Sequence, residues 1–365
     1  MLFVIPTYKR IDRLKWTLLS ILQAECARSS RVLRLCIVNN HPPSAENLNR
    51  LMQDIKTQYP EHKAIEWLVV HRKRTLDPVA NWYSAIEEMA EPDETVFLHG
   101  DDDLLMPWGV EERARAAIET EADMLLSRSM HGLVFLPDQQ HCLMRKASWV
   151  FERSGEVGTI SWGEIDAWGP AFIGNHCYRN TKNFRDALAL AFSWCHEQDW
   201  LDWNTRTLML PYYLPFAIRK VGGRLYGVRT TCVLRGSGLE ERLHARFGVP
   251  GWNPGFLTWC AYGVLSNADL GPITELSSAR ASLVRMAADW FLTFYLDTRV
   301  PSAIRRETLR RLGTPLNAWS LISILSGLRR IVGECFGLRG LSTRIQSIRQ
   351  SQPVASVLMT MRQFS

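Results

Sequence analysis

The chain has 365 residues, 46% hydrophobic and 22% charged, enough apolar mass to bury a core and a composition that excludes disordered and fibrous classes. Its net charge of +6 is uneven: from Pro301 to Ser365 ten arginines face two acids, so that segment carries +8 and residues 1–300 carry −2. An anionic partner, membrane surface or nucleic acid, is implied for the basic end.

Eight cysteines are scattered without a CxxC pair, which favours free buried thiols over a zinc site or a disulfide framework. The opening Met1–Pro6 is too short for a signal h-region, and Arg329-Arg330 interrupts the longest apolar run, Ala318 to Leu338. A cytoplasmic protein without a membrane span is therefore expected.

The first 130 residues alternate short apolar runs with helical periods, the pattern of βαβ units on a parallel sheet. Leu2–Ile5 reads as a buried strand. Asp12 is placed to cap a helix that buries Leu14, Leu18, Ile21 and Leu22. Leu33–Val38 is a second strand, and a helix over 44–59 turns Leu48, Leu51, Met52 and Ile55 inward. Ile65–Val70 is a third strand. Asp77-Pro78, a capping acid before a first-turn proline, starts a helix that buries Val79, Trp82, Ile86 and Met89. Thr95–Leu98 is a fourth strand ending in His99-Gly-Asp-Asp-Asp103, and a helix after Pro107 leads to another strand near Asp123–Leu126.

From about 130 to 250 the chain is less regular, and Gly155, Gly158, Gly163 and Gly169-Pro170 signal hairpins and loops. Beyond Ala279 it turns helical, with Leu283, Met286, Ala287, Trp290, Phe291 and Phe294 on one face. Arginine pairs at 305–306, 310–311 and 329–330 surround apolar residues from Trp319 to Ile331. That pattern suits a helix lying on an anionic membrane or packing on the main body.

Ligands of open α/β sheets bind beyond the carboxyl ends of the strands. Polar residues gather at four such ends here: Thr7-Tyr8, Asn39-Asn40, His71–Arg74 and Asp101–Asp103. Three adjacent carboxylates repel one another and raise one another's pKa, a cost that a divalent cation removes. Mg²⁺ or Mn²⁺ takes one or two carboxylates and completes its shell with phosphate oxygens and water. The competing reading is a helix start decorated with acids.

Phe3-Val-Ile-Pro-Thr-Tyr-Lys-Arg10, Cys36-Ile-Val-Asn-Asn40 and Phe97-Leu-His-Gly-Asp-Asp-Asp-Leu-Leu-Met-Pro107 resemble the first strand and loop, the second strand and the DxD segment of family 2 glycosyltransferases of the GT-A fold. The resemblance runs in order over about residues 2–235. It implies an α/β nucleotide-sugar-binding sheet with helices on both faces and an inverting transfer of a sugar to a glycan hydroxyl, as in surface-polysaccharide synthesis (O-antigen or capsule). Pro6, Thr7, Tyr8 and Arg10 would approach the nucleotide, and Asn39 stands in place of the aspartate that reads uracil. A UDP-sugar is expected ahead of GDP- or dTDP-sugars. Asp101 and Asp102 would hold ribose and metal, with Asp102 the direct ligand and Asp103 beside it. His99-Gly100 departs from the usual Asp-x-Asp spelling.

Cys195-His-Glu-Gln-Asp-Trp200 resembles the family's Glu-Asp-Trp segment, which implies that Asp199, or else Glu197, deprotonates the acceptor. Gly174–Arg179 resembles the acceptor-side loop that precedes it, although His176 is expected to be a polar surface residue. Arg235-Gly-Ser-Gly238 and Arg74 are further candidates for the diphosphate, and Trp162, Trp168, Trp200 and Trp203 for stacking on sugar rings.

The expected organisation is a catalytic domain over 1–250, with a nucleotide-sugar half to 130 and an acceptor half from 131. A helical, basic extension follows over 251–365, in which 301–350 would meet an anionic membrane surface on the inner face of the cell membrane; nucleic acid is not an expected partner. Two other readings stand beside the transferase. A sugar-phosphate nucleotidyltransferase would carry a glycine-rich loop after the first strand, and a non-catalytic GT-A-like binding protein would tolerate the departures at Asn39, His99 and Gln198.

Overall fold

The computed structural model describes residues 1–24, 32–60, 65–131, 133–144, 153–168, 172–197, 209–238 and 351–363. The helices expected beyond Ala279, the arginine-rich stretch 301–350, and Asp199, Trp200 and Trp203 lie outside them.

Strand β1 (Leu2–Thr7), β2 (Leu33–Asn39) and β3 (Ile65–His71) run parallel, with Thr7 level with Asn39 and Asn39 level with His71. β4 (Thr95–Leu98) joins the other edge of β1 in parallel. Helices α1 (Ile11–Gln23), α2 (Ala45–Gln58) and α3 (Pro78–Met89) make the crossovers. Asp77 caps α3 as its sequence implies, accepting from the Ala80 N–H at 2.8 Å. Asp12 does not cap α1. Arg10 takes the cap position without a side-chain bond, and Asp12 lies in the first turn, where the helix dipole favours an acid.

Past β4 come the two-residue β5 (Leu104–Leu105), α4 (Gly109–Thr120), β6 (Met124–His131) and a hairpin of β7 (Leu133–Phe135) and β8 (His141–Met144). β9 (Val157–Thr159), β10 (His176–Arg179), α5 (Lys182–His196), α6 (Leu210–Lys220) and β11 (Leu225–Arg235) follow. The main sheet runs β3-β2-β1-β4-β10-β6-β11-β5, with β9 on β11. β10 is antiparallel to both neighbours, so the wound parallel half ends at β4 and the irregular half begins there.

Both faces of the sheet are covered, and its central strands bury apolar residues on both sides. Leu2, Val4, Cys36 and Val38 face a core with α3, α5 and α6; Phe3, Ile5, Leu35 and Ile37 face the other, with α1, α2 and α4. The chain end joins that second core. β12 (Ser351–Pro353) pairs with β8, and α7 (Val354–Arg362) buries Val354, Val357, Leu358 and Met361 beside Leu14 and Leu18 of α1. The last described residues thus belong to the body, although the sequence places them in an extension.

Five cysteines are described, Cys36, Cys142, Cys177, Cys195 and Cys232, and all are buried. Burial pushes the Cys177 thiol up to about 12 and the Cys36 thiol to about 11, so both stay protonated and inert at neutral pH.

Candidate active site

The parallel strands deliver their carboxyl ends to one rim. Thr7 leaves β1 there, and the next loop turns through Lys9 at φ 61° before α1 begins. Here the Tyr8 N–H donates to Asp101 Oδ2 at 3.3 Å, and Arg10 donates to Asp101 Oδ1 at 3.1 Å. Arg10 also lies 3.5 Å from Asp102 Oδ2, and Arg13, one turn along α1, lies 3.6 Å from the same oxygen. The opening loop and the acidic loop are therefore wired together by backbone and guanidinium.

The three adjacent acids meet three fates. Asp101 is buried against the opening loop. Asp103 is buried in the opposite sense: its Oδ1 accepts the Gly236 N–H at 2.9 Å, and its backbone carbonyl accepts from Thr17 Oγ1 at 2.8 Å. Burial lifts its carboxyl to about 6; the Gly236 bond and Arg235 oppose the rise, and Asp101 adds to it. Asp102 alone keeps an exposed share, 13% of its side chain, between Arg10 and Arg13. The like-charge repulsion that the triplet threatened is relieved by divergence and arginine.

Glycines let this loop close. A Cβ on Gly100 would stand 2.4 Å from Asp103 Oδ2, and one on Gly236 would stand 1.6 Å from the Asp102 carbonyl oxygen. A Cβ on Gly174 would lie 3.2 Å from the same Asp103 oxygen, which brings the loop before β10 against the acidic loop. Arg235 lies face-on to Phe172, its Cζ 3.4 Å from the ring centroid. The Arg235–Gly238 segment is thus part of the site.

Other expected contributors sit differently. Asn39 is fully buried; its Oδ1 accepts the His41 N–H at 3.0 Å and its Nδ2 lies 3.3 Å from His71 Nδ1. The Tyr8 ring is exposed and lies edge-on to His41 at 5.4 Å. Pro6 is buried in β1, while Thr7 Oγ1 is buried without a hydrogen-bond partner. Arg74 is exposed, and neighbouring Arg72 is spent on Glu88 at 2.8 Å and Asn81 at 3.1 Å. His176 is no surface residue. It is fully buried on β10, with Nδ1 2.5 Å from the Tyr178 hydroxyl, which in turn lies 3.2 Å from the hydroxyl of Tyr83. Trp162 is buried against Phe216 in the core. Glu197 follows α5, where partial burial holds its carboxyl above the ordinary range.

His99 is fully buried beneath the loop against Phe3, both ring nitrogens without a hydrogen-bond partner. Burial and the nearby Arg113 push its pKa down to about 3, so it is a neutral ring. Sequence reasoning missed Arg13, Thr17 and Gln139. The spacing of Arg13, one helical turn after Arg10, was the available signal.

Among the described residues no group of three or more His, Cys, Asp or Glu side chains converges to hold a metal ion. The donor set fits a divalent cation only through Asp102, with phosphate oxygens and water supplying the rest of the shell. No described helix is long and apolar enough to cross a membrane.

No protein-family model and no curated protein matches the sequence. Solved structures do. TarS of S. aureus superposes with a TM-score of 0.50 at 11% identity, covering 90% of this chain and 54% of that one. The 1–349 portion of TarS in complex with UDP-GlcNAc gives 0.47 at 13%, covering 86% and 79%. The mannosyltransferase PcManGT from Pyrobaculum calidifontis, in complex with GDP-Man and Mn²⁺, gives 0.47 at 10%, covering 90% and 86%. Likeness at such identity is likeness of fold: the chain has a GT-A-like mixed α/β architecture, a curled central sheet with helices on both faces.

Proposed function

We propose that this chain is a glycosyltransferase that moves a sugar from a nucleotide diphosphate-sugar to a hydroxyl of a glycan acceptor, with inversion. The observation that carries the reading is the meeting of the opening loop with the acidic loop at the carboxyl ends of β1 and β4, where Tyr8, Arg10 and Arg13 surround Asp101 and the part-exposed Asp102. A GT-A-like sheet puts its ligand at that rim.

In this reading Tyr8 offers its exposed ring to the base, and Asn39 holds His41 and His71 beneath it. UDP-sugars are the donors to try first. Asp102 would hold a divalent cation, Mn²⁺ or Mg²⁺, which when bound neutralises the departing diphosphate. Arg10, Arg13 and Arg235 bring guanidinium forks to the same rim. The base would be Asp199 or Glu197, and the carboxyl of Glu197 is held above its ordinary range by partial burial. The basic stretch 301–350 would rest on an anionic membrane carrying a lipid-linked surface-polysaccharide precursor.

Calorimetric titration of UDP with Mn²⁺ tests the donor site. Asp102→Ala should lower Mn²⁺-dependent affinity at least about tenfold, with the fold intact by circular dichroism; unchanged affinity refutes the assignment. Asp199→Asn should leave that affinity alone and stop transfer, and full transfer would move the base to Glu197. Proton NMR of the product's anomeric centre reads inversion directly. For the membrane, Arg329→Glu with Arg330→Glu should weaken sedimentation with anionic vesicles, and full retention would remove that partner.

A further inference from the structure

We infer that Gln139, in the turn of the β7–β8 hairpin, is a positioning residue that holds Arg13 against Asp102. This rests on the donor reading of Asp102 given above. Gln139 Oε1 accepts from Arg13 Nε at 2.6 Å, and its backbone carbonyl accepts from the Trp16 indole N–H at 2.8 Å. One residue thus grips two successive turns of α1. The far end of the same guanidinium, Nη1, lies 3.6 Å from Asp102 Oδ2. Phe135 packs within 5.8 Å of the guanidinium carbon, and a Cβ on Gly238 would stand 2.4 Å from Nη2. Arg13 is consequently fixed from both sides and along its length.

The backbone shows what this grip costs. Gln139 adopts φ 57°, a left-handed conformation in which glycine or asparagine is the ordinary choice. The turn is closed mainly by other groups: Asp138 Oδ1 accepts the Gln140 and His141 N–H groups at 2.9 Å, and the Gln139 N–H donates to Leu136 O at 2.9 Å. The Gln139 side chain adds one bond there, from Nε2 to Pro137 O at 3.2 Å, which aims its Oε1 at Arg13. The chain end clamps the turn from its other side, since the Val354 N–H donates to Gln140 O at 2.9 Å and β12 pairs with β8. Residues 351–363 therefore brace the donor rim through Gln139 as well as filling the core.

Two substitutions in the full chain separate positioning from folding. Gln139→Gly relieves the backbone and removes the reach; Gln139→Glu keeps an acceptor at the same distance. The glycine variant should hold its Tm within roughly 3 °C of the parent while UDP affinity with Mn²⁺ falls about tenfold, and the glutamate variant should restore it. Parent-like affinity in the glycine variant overturns the inference. If the parent itself binds no nucleotide, the donor reading falls, and exchange of the Arg13 Nε–H by NMR decides the positioning separately. Slow exchange in the parent and fast exchange in the glycine variant support it; equal rates overturn it.

Discussion

Asp103 and His99 are four residues apart in sequence, both buried, and displaced in pKa for the same reason: a charged form stripped of water. The Asp103 carboxyl titrates near 6 in the fold against 3.8 ordinarily, so the folded state binds the extra proton and this group lowers stability as pH rises from about 4 to about 6. His99 titrates near 3 against 6.5, so the unfolded chain binds the extra proton and stability falls as pH drops from about 6.5 towards 3. The two tilts oppose one another between about pH 4 and 6. Denaturation of His99→Leu across that window should expose a decline with rising pH, and Asp103→Asn a steeper acid-side loss; parallel curves for parent and both variants would refute the burial of these charges. The acids were visible in the sequence as a cost needing an explanation. Their divergence was not, because which way each carboxylate points depends on Tyr8, Arg10 and Gly236, up to 133 residues away.

At the scale of elements, the acidic loop exists because three distant segments leave room for it. β11 ends at Arg235, and Gly236 then meets the Asp102 backbone so closely that no side chain fits. Gly236→Ala should therefore cost about 2–4 kcal/mol by chemical denaturation, as overpacking against rigid backbone does, and should weaken nucleotide binding with it; a loss below about 0.5 kcal/mol would mean the loop yields. The start of helix α3 was legible to the residue, since Asp77 and Pro78 are local signals that act within one turn; its buried face was read in part, with Tyr83 and Ala85 buried where Trp82 and Met89 are only half-buried. The start of α1 was misassigned to Asp12, because Arg10 is drawn into the cap position by the acids it pairs with, a tertiary pull that local propensity does not contain.

Across the whole molecule, residues 351–363 are a structural part of the main body. Leu358 is buried in the core shared with α1, so Leu358→Ala should cost about 2–5 kcal/mol, and a two-state melt should show it as a lowered Tm of the single main transition. A separate low-temperature transition, with the main one unmoved, would make the end an independent unit. Deleting everything after Val300 is for this reason a poor test of membrane binding: it removes β12 and α7 as well as the arginines, whereas charge reversal at Arg329 and Arg330 leaves β12 and α7 in the chain.

The sequence by itself determined the wound half of the sheet and the rim on which the polar residues gather, because period, capping and strand polarity are local or nearly so. Only the tertiary structure decided that β10 enters antiparallel, that His176 and Asn39 are buried, that Asp102 is the acid left open, and that Gln139 and the chain end support Arg13. Each of those is settled by contacts across long loops, and a burial energy shared between partners far apart in sequence leaves no periodic trace in either of them.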